Sequence, residues 1–161
     1  MANLNNIFNP LFLKNRELKI ALELLFFAIK DFDRNISFLL KKFGYNKTHF
    51  AVIFLASNNY YLTIKDLLII LDIKKQSLSK IIKKLKSDEI ITLKKSKKDK
   101  RNKNIYLTKK GLKIEKKITN KQINNIANAY KNAGKDSING FKKILLNLLS
   151  KTSKTILRNK I

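Results

Sequence analysis

Between Thr63 and Leu107 the spacing of apolar residues changes period, and this change narrows the folds open to the chain. Ile64, Leu67, Leu68 and Leu71 recur every three or four residues, as do Leu78, Ile81, Ile82 and Leu85, which is the spacing of one face of a helix. Thr63-Ile64-Lys65-Asp66 opens the first of these helices as a capping box with Asp in the place of Glu or Gln. The second starts near Lys74, so the turn between them is tight. Ile90 to Lys95 and Lys103 to Leu107 are instead short and rich in β-branched or alternating residues. The polar, mostly basic stretch Ser96 to Asn102 separates them, and the pattern predicts a hairpin with a charged tip. The expected unit is a helix-turn-helix followed by a wing.

Long helices flank this unit. From Arg16 to Phe43 apolar residues keep a helical period through Leu18, Leu22, Leu25, Ile29, Phe32 and Ile36. Leu24, Phe26 and Phe27 widen the apolar surface beyond what one neighbour covers, so a partner subunit is expected. Gly44 supplies a left-handed stop, and Asn46 caps a second helix through Phe50, Ile53 and Phe54. Thr108 caps a helix running through Leu112, Ile118, Ile123, Ile126 and Tyr130 to Gly134, and Asp136 caps a last one with Ile138, Phe141, Leu145, Leu148 and Leu149 inward. The fold class is mainly α with a small β-hairpin: a winged helix-turn-helix domain between N- and C-terminal dimerisation helices. Its parts are a flexible N-terminal arm (1–15), an N-terminal dimerisation helix (16–45), the winged helix-turn-helix (46–110) and C-terminal dimerisation helices (111–161). Homodimer contacts are expected from Leu18, Leu25, Ile29, Leu145, Leu148 and Leu149.

Charge points to the partner. Lys and Arg number 36 against 11 Asp and Glu, a formal net charge of +25, and +14 of it falls between residues 73 and 118. A compositional bias toward Lys would not choose one segment, so double-stranded DNA is the expected partner and this stretch the expected source of phosphate contacts. There is no Cys, which excludes thiolate and disulfide chemistry, and a single His, His49, makes no metal site. His49 fits better as a capping or core-edge side chain of the second helix. With scattered carboxylates and no glycine-rich phosphate loop, neither an enzyme nor a cofactor is expected. No apolar run is long enough to cross a bilayer and no signal peptide is apparent, so a cytoplasmic protein without a membrane partner is expected.

With Leu78, Ile81, Ile82 and Leu85 turned inward, the opposite side of their helix carries Gln76, Ser79, Lys80 and Lys83, with Lys75 and Ser77 at its start. Gln can bond adenine bidentately in the major groove, Lys reaches guanine or phosphate, and Ser adapts to either. The alternative for this helix is an ordinary solvated face. In the hairpin loop, Lys97, Lys98, Lys100, Arg101 and Lys103 surround one acid, Asp99. Such a cluster repels itself unless an anion meets it.

From Thr48 to about Ile118 the sequence resembles the MarR family of winged-helix regulators. Three stretches carry the resemblance: Leu62 to Leu67 with Lys75 to Lys80 for the helix-turn-helix, Asp99-Lys100-Arg101 for the wing, and Leu107-Thr108-Lys109-Lys110-Gly111 leading out of it. The resemblance implies that Arg101 enters the minor groove, that Asp99 orients the wing, and that the Phe residues of the first helix line a pocket for a small-molecule effector. It also implies a homodimer acting as a repressor on a pseudo-palindromic operator. Asp72 and Glu89 stand where such relatives usually carry Gly, and Lys74 where they carry a Ser or Thr cap. Tyr60 and Tyr61 are expected to pack in the turn before Thr63. Two other readings compete: a non-sequence-specific architectural or nucleoid DNA-binding protein, and a membrane-surface helix at the C-terminus, where Lys142, Lys143, Lys151 and Lys154 flank apolar residues.

Overall fold

A computed structural model describes residues 13–58, 61–95 and 103–157. In chain order the elements are α1 (Asn15–Lys41), α2 (Lys47–Asn58), α3 (Ile64–Leu71), α4 (Lys75–Ser87), β1 (Ile91–Lys95), β2 (Lys103–Leu107), α5 (Lys109–Leu148) and α6 (Lys151–Leu157). The strands pair antiparallel, with Ile91 opposite Leu107 and Lys95 opposite Lys103. No helix among the described residues is long and apolar enough to cross a membrane.

Local chemistry sets the element ends. Gly44 adopts φ +69, and its N–H bonds the Lys41 carbonyl while the Tyr45 N–H bonds that of Leu40, the paired closure of a left-handed helix stop. Asn46 Oδ1 accepts from the Thr48 and His49 N–H groups at 3.1 Å each, starting α2. At α3 the capping box closes both ways: Asp66 N–H donates to Thr63 Oγ1 and Thr63 N–H to Asp66 Oδ2. Thr108 Oγ1 accepts the Gly111 N–H at 3.0 Å and starts α5.

The core lies under the helix-turn-helix. Leu40 of α1, Val52 and Ile53 of α2, Leu67 of α3, Leu78 and Leu85 of α4, Ile90, Ile105 of β2 and Ile118 of α5 are almost wholly buried. Six helices and strands thus converge on one apolar centre, which fixes the orientation of α4 relative to the hairpin. The hairpin gains a third edge contact, because Ile105 N–H bonds the Leu62 carbonyl at 2.8 Å and Thr63 bridges to Asn104. Gly111 allows α5 to meet the α4–β1 turn: a Cβ there would lie 2.2 Å from the Ile90 carbonyl oxygen.

Three expectations need adjustment. The two expected C-terminal helices are the two halves of α5, which meet at a break at Gly134 (φ 77, ψ 167), and the short α6 is added after them. Tyr61, expected to pack in the turn, is 69% exposed. Tyr60, the N-terminal arm up to residue 12 and the hairpin tip lie outside the described residues. The apolar residues expected inward after Gly134 are also not all covered within one chain, since Phe141, Leu145 and Leu148 are exposed, while Ile138 and Leu149, with Leu146, are half-buried.

Candidate nucleic-acid interface

α4 is amphipathic in a sharply divided way. Leu78, Ile81, Ile82 and Leu85 are buried, whereas Lys75, Gln76, Ser77, Ser79, Lys80 and Lys83 are all exposed. The burial of four aliphatic side chains, each contributing about 1.5–3 kcal/mol, holds the helix with its polar row outward. Among the described residues, Lys75, Lys80 and Lys83 make no ion pair; the α4 pairing is Lys84 with Asp88 at 3.0 Å. Lys74 at the N-cap makes no side-chain capping bond and the first turn holds no acid. The helix therefore starts with amide N–H groups and cations together, an arrangement that favours an anion.

The turn into α4 is short. Asp72 takes the left-handed conformation at φ 46, and only Ile73 and Lys74 separate it from α4. At the other end Glu89 is left-handed at φ 59. Both are positions where the sequence resemblance expects Gly, so the backbone geometry is retained although the residue that adopts it most easily is gone. The Glu89 carbonyl accepts the Thr108 hydroxyl at 2.6 Å, and that bond holds the strained residue against the base of the hairpin.

On the wing, Lys94, Lys95 and Lys103 are exposed at the described ends of the strands, with Lys94 Nζ 5.6 Å from the centre of the Tyr106 ring. Lys98, Asp99 and Arg101 lie outside the described residues. Of the residues expected at a dimer contact, Leu18, Ile29, Leu145 and Leu148 are exposed on the single chain, and Leu25 and Leu149 are half-buried.

Residues 39–102 match the sequence model of the MarR family. Over this stretch the chain is similar to the MarR family. The match spans the end of α1, α2, the helix-turn-helix and the first strand of the hairpin. A curated relative, the HTH-type transcriptional regulator PetP of Rhodobacter capsulatus, is 29% identical over 135 residues, covering 84% of this chain and 81% of that protein. Among solved structures, a SlyA-like regulator of Listeria monocytogenes superposes with a TM-score of 0.62 at 23% identity, over 86% of this chain and 93% of that one. A MarR variant of E. coli complexed with operator DNA gives 0.58 at 19% identity, over 88% and 100%. At these identities the likeness is one of fold, and it extends through the long helices that flank the MarR-type core.

Sequence reasoning missed several residues. Tyr45, 8% exposed, donates from its hydroxyl to Asp88 Oδ2 at 2.8 Å. Burial, then the Asp88 carboxylate, pushes the Tyr45 hydroxyl pKa upward. Asp88 is held below the usual carboxylate range by that bond and by Lys84. His49 stacks on Tyr45 with ring centres 5.3 Å apart. Burial and the nearby Lys84 lower its pKa. Asn104 and Gln122 are buried polar side chains. No local pattern marks Tyr45, Asp88, Asn104 or Gln122, because each depends on elements distant in the chain, whereas His49 sits half-buried at the start of α2 as a capping or core-edge side chain would.

Proposed function

We propose that this chain is a MarR-type transcription regulator, a homodimer that binds a pseudo-palindromic DNA operator and represses the genes beside it. The observation that carries the reading is the exposed row Lys75, Gln76, Ser77, Ser79, Lys80 and Lys83 on α4, held outward by a fully buried opposite face. Gln76 and Ser79 carry the groups that distinguish base edges; Lys75, Lys80 and Lys83 supply charge toward phosphates or guanine. Lys98, Arg101 and Lys103 of the wing extend the contact along the backbone, with Arg101 in the minor groove and Asp99 orienting the loop. The pull of a narrow A/T-rich minor groove on such an Arg favours that placement.

Dimerisation is supported by apolar surface that one chain leaves in water. Leu22, Leu24 and Ile29 of α1 are 68, 66 and 63% exposed, and Leu148 at the end of α5 is 64% exposed. A second copy covers both helices at once, and a two-fold dimer sets paired recognition helices about 34 to 36 Å apart on successive major grooves. A cleft of about 560 Å³ beside α1, lined by Phe26, Ile29, Lys30, Asp33, Arg34 and Lys47, is the proposed place for a modulating small molecule. Of the Phe residues expected there, it uses Phe26. Action on chromosomal DNA places the protein in the cytoplasm.

Competition at physiological salt tests the reading. The protein is first used to select duplexes from a random-sequence library, and their affinity is compared with that of unselected duplex. Specific operators are bound about 10³-fold or more tightly than random sequence. A ratio near one would replace this reading with that of an architectural DNA-binding protein.

A further inference from the structure

Beyond the packing of its buried face, the C-terminal end of the recognition helix is tied to the rest of the molecule by two sets of hydrogen bonds. It is fixed to its own winged unit by Ile90 N–H to the Leu85 carbonyl at 2.8 Å, by Thr108 N–H to the Ile90 carbonyl at 3.0 Å and by Thr108 Oγ1 to the Glu89 carbonyl. A separate tie runs to the junction of α1 and α2. Asp88, the C-cap of α4, accepts the Tyr45 hydroxyl on Oδ2 and Lys84 Nζ on Oδ1 at 3.0 Å.

Tyr45, in the turn between α1 and α2, is itself held against the end of α1. Its N–H bonds the Leu40 carbonyl at 3.1 Å, and Leu40 is 1% exposed. Its ring lies between Phe43 and His49, with centres 6.5 and 5.3 Å away at interplanar angles of 23° and 19°. The hydroxyl is thus the tip of a rigid strut from the dimerisation helix to the far end of the reading head. A neutral donor on a carboxylate is among the stronger side-chain hydrogen bonds.

We infer that Tyr45 is a positioning residue: through its bond to Asp88 it fixes the angle between α1 and the recognition helix, and so the half-site spacing that the dimer accepts. The inference rests on the operator-binding reading above, in which α1 belongs to the dimer arm. Adding one base pair between half-sites moves the second by about 3.4 Å along the duplex. A dimer discriminates against that shift only as far as its recognition helices resist pivoting on the arm. The buried side of α4 anchors it within the winged unit; the Tyr45–Asp88 bond joins that unit's far edge to the arm.

The test uses duplexes carrying the half-site that the wild-type protein selects, at the selected spacing and at one base pair more or fewer. The readout is the ratio of affinities between spacings for each protein. Because it is a ratio, any fraction of unfolded protein cancels. Tyr45→Phe keeps the ring stack and loses the hydroxyl, and the spacing ratio is expected to shrink by about threefold or more, given the strength of hydrogen bonds to charged groups. Asp88→Asn retains an oxygen acceptor and most of the ratio, whereas Asp88→Leu repeats the loss. A ratio unchanged in Tyr45→Phe, or lost equally in Asp88→Asn and Asp88→Leu, overturns the positioning role while leaving operator binding intact. Equal affinity of the wild-type protein for all spacings and for unselected duplex overturns both.

Discussion

Replacing Gly111 with Ala adds one methyl group where, among the glycines, the backbone of another element comes closest. The new Cβ would sit 2.2 Å from the Ile90 carbonyl oxygen, 3.1 Å from its carbon and 3.3 Å from Ile90 Cγ2, about 1 Å inside ordinary contact with the oxygen. The obstacle is backbone, so no side-chain rotation relieves it. Moving α5 away would stretch the Thr108 N–H bond to that same oxygen, now 3.0 Å. Overpacking costs about 1–3 kcal/mol, and a weakened hydrogen bond adds about 1 kcal/mol. Ala gains back about 0.5–1 kcal/mol as a better helix former than Gly. The net expectation is a loss of about 2 kcal/mol. Gly140→Ala is the control: a Cβ there meets nothing within 4 Å, so the same substitution is expected to stabilise by about 0.5–1 kcal/mol. Urea unfolding followed by far-ultraviolet circular dichroism, at one fixed protein concentration because a dimer's stability depends on it, measures both. A change under about 0.5 kcal/mol at Gly111, or the same sign at both positions, would refute the packing argument.

Glu89→Gly relieves a left-handed residue at φ 59 and is expected to raise the thermal midpoint, a gain of up to about 1 kcal/mol after the entropy of Gly is subtracted. The Lys110 contact it removes is 4.0 Å long and exposed, so its loss subtracts little. Thr63→Ala breaks the capping box of α3 and is expected to cost about 1 kcal/mol in the same urea experiment. Stability is expected to fall as pH drops below 6.5, because His49 stays neutral in the fold, with its pKa lowered by burial and Lys84, while the unfolded chain takes up the proton. A urea series across pH should show that slope flattened in His49→Gln. Asp88 adds a second loss as pH falls through 3.8 and below, since its folded carboxylate protonates later than its unfolded one.

The parts of this fold legible in the sequence are those governed by neighbours in the chain. Thr63 and Asp66 lie three residues apart, and their box forms as the spacing implies. Leu78, Ile81, Ile82 and Leu85 repeat at helical spacing, and all four are buried. Gly134 breaks α5 where glycine was expected to end it. What escaped depends on distant pairings or on surface that one chain cannot cover. Tyr45 and Asp88 are 43 residues apart, and no periodicity joins them. Gln122 is 6% exposed, and no spacing in its own helix singles it out. Tyr61 was expected to pack in the turn before Thr63, and just outside the capped start of α3 it is 69% exposed. The face of α4 was legible as an exposed polar row, whereas its partner in recognition is chemistry that one chain alone does not contain.

Affinity measured across single-base variants of the selected operator and across salt concentration, for Gln76→Ala and Lys103→Ala side by side, tests base reading by α4 most directly. Gln76→Ala should relax discrimination at one base pair in each half-site by about 1–3 kcal/mol and leave the other positions alone. Lys103→Ala should weaken every duplex equally and reduce the salt slope by about 1. If both variants weakened all sequences alike with the same change in slope, α4 would be a phosphate contact and not a reader of bases.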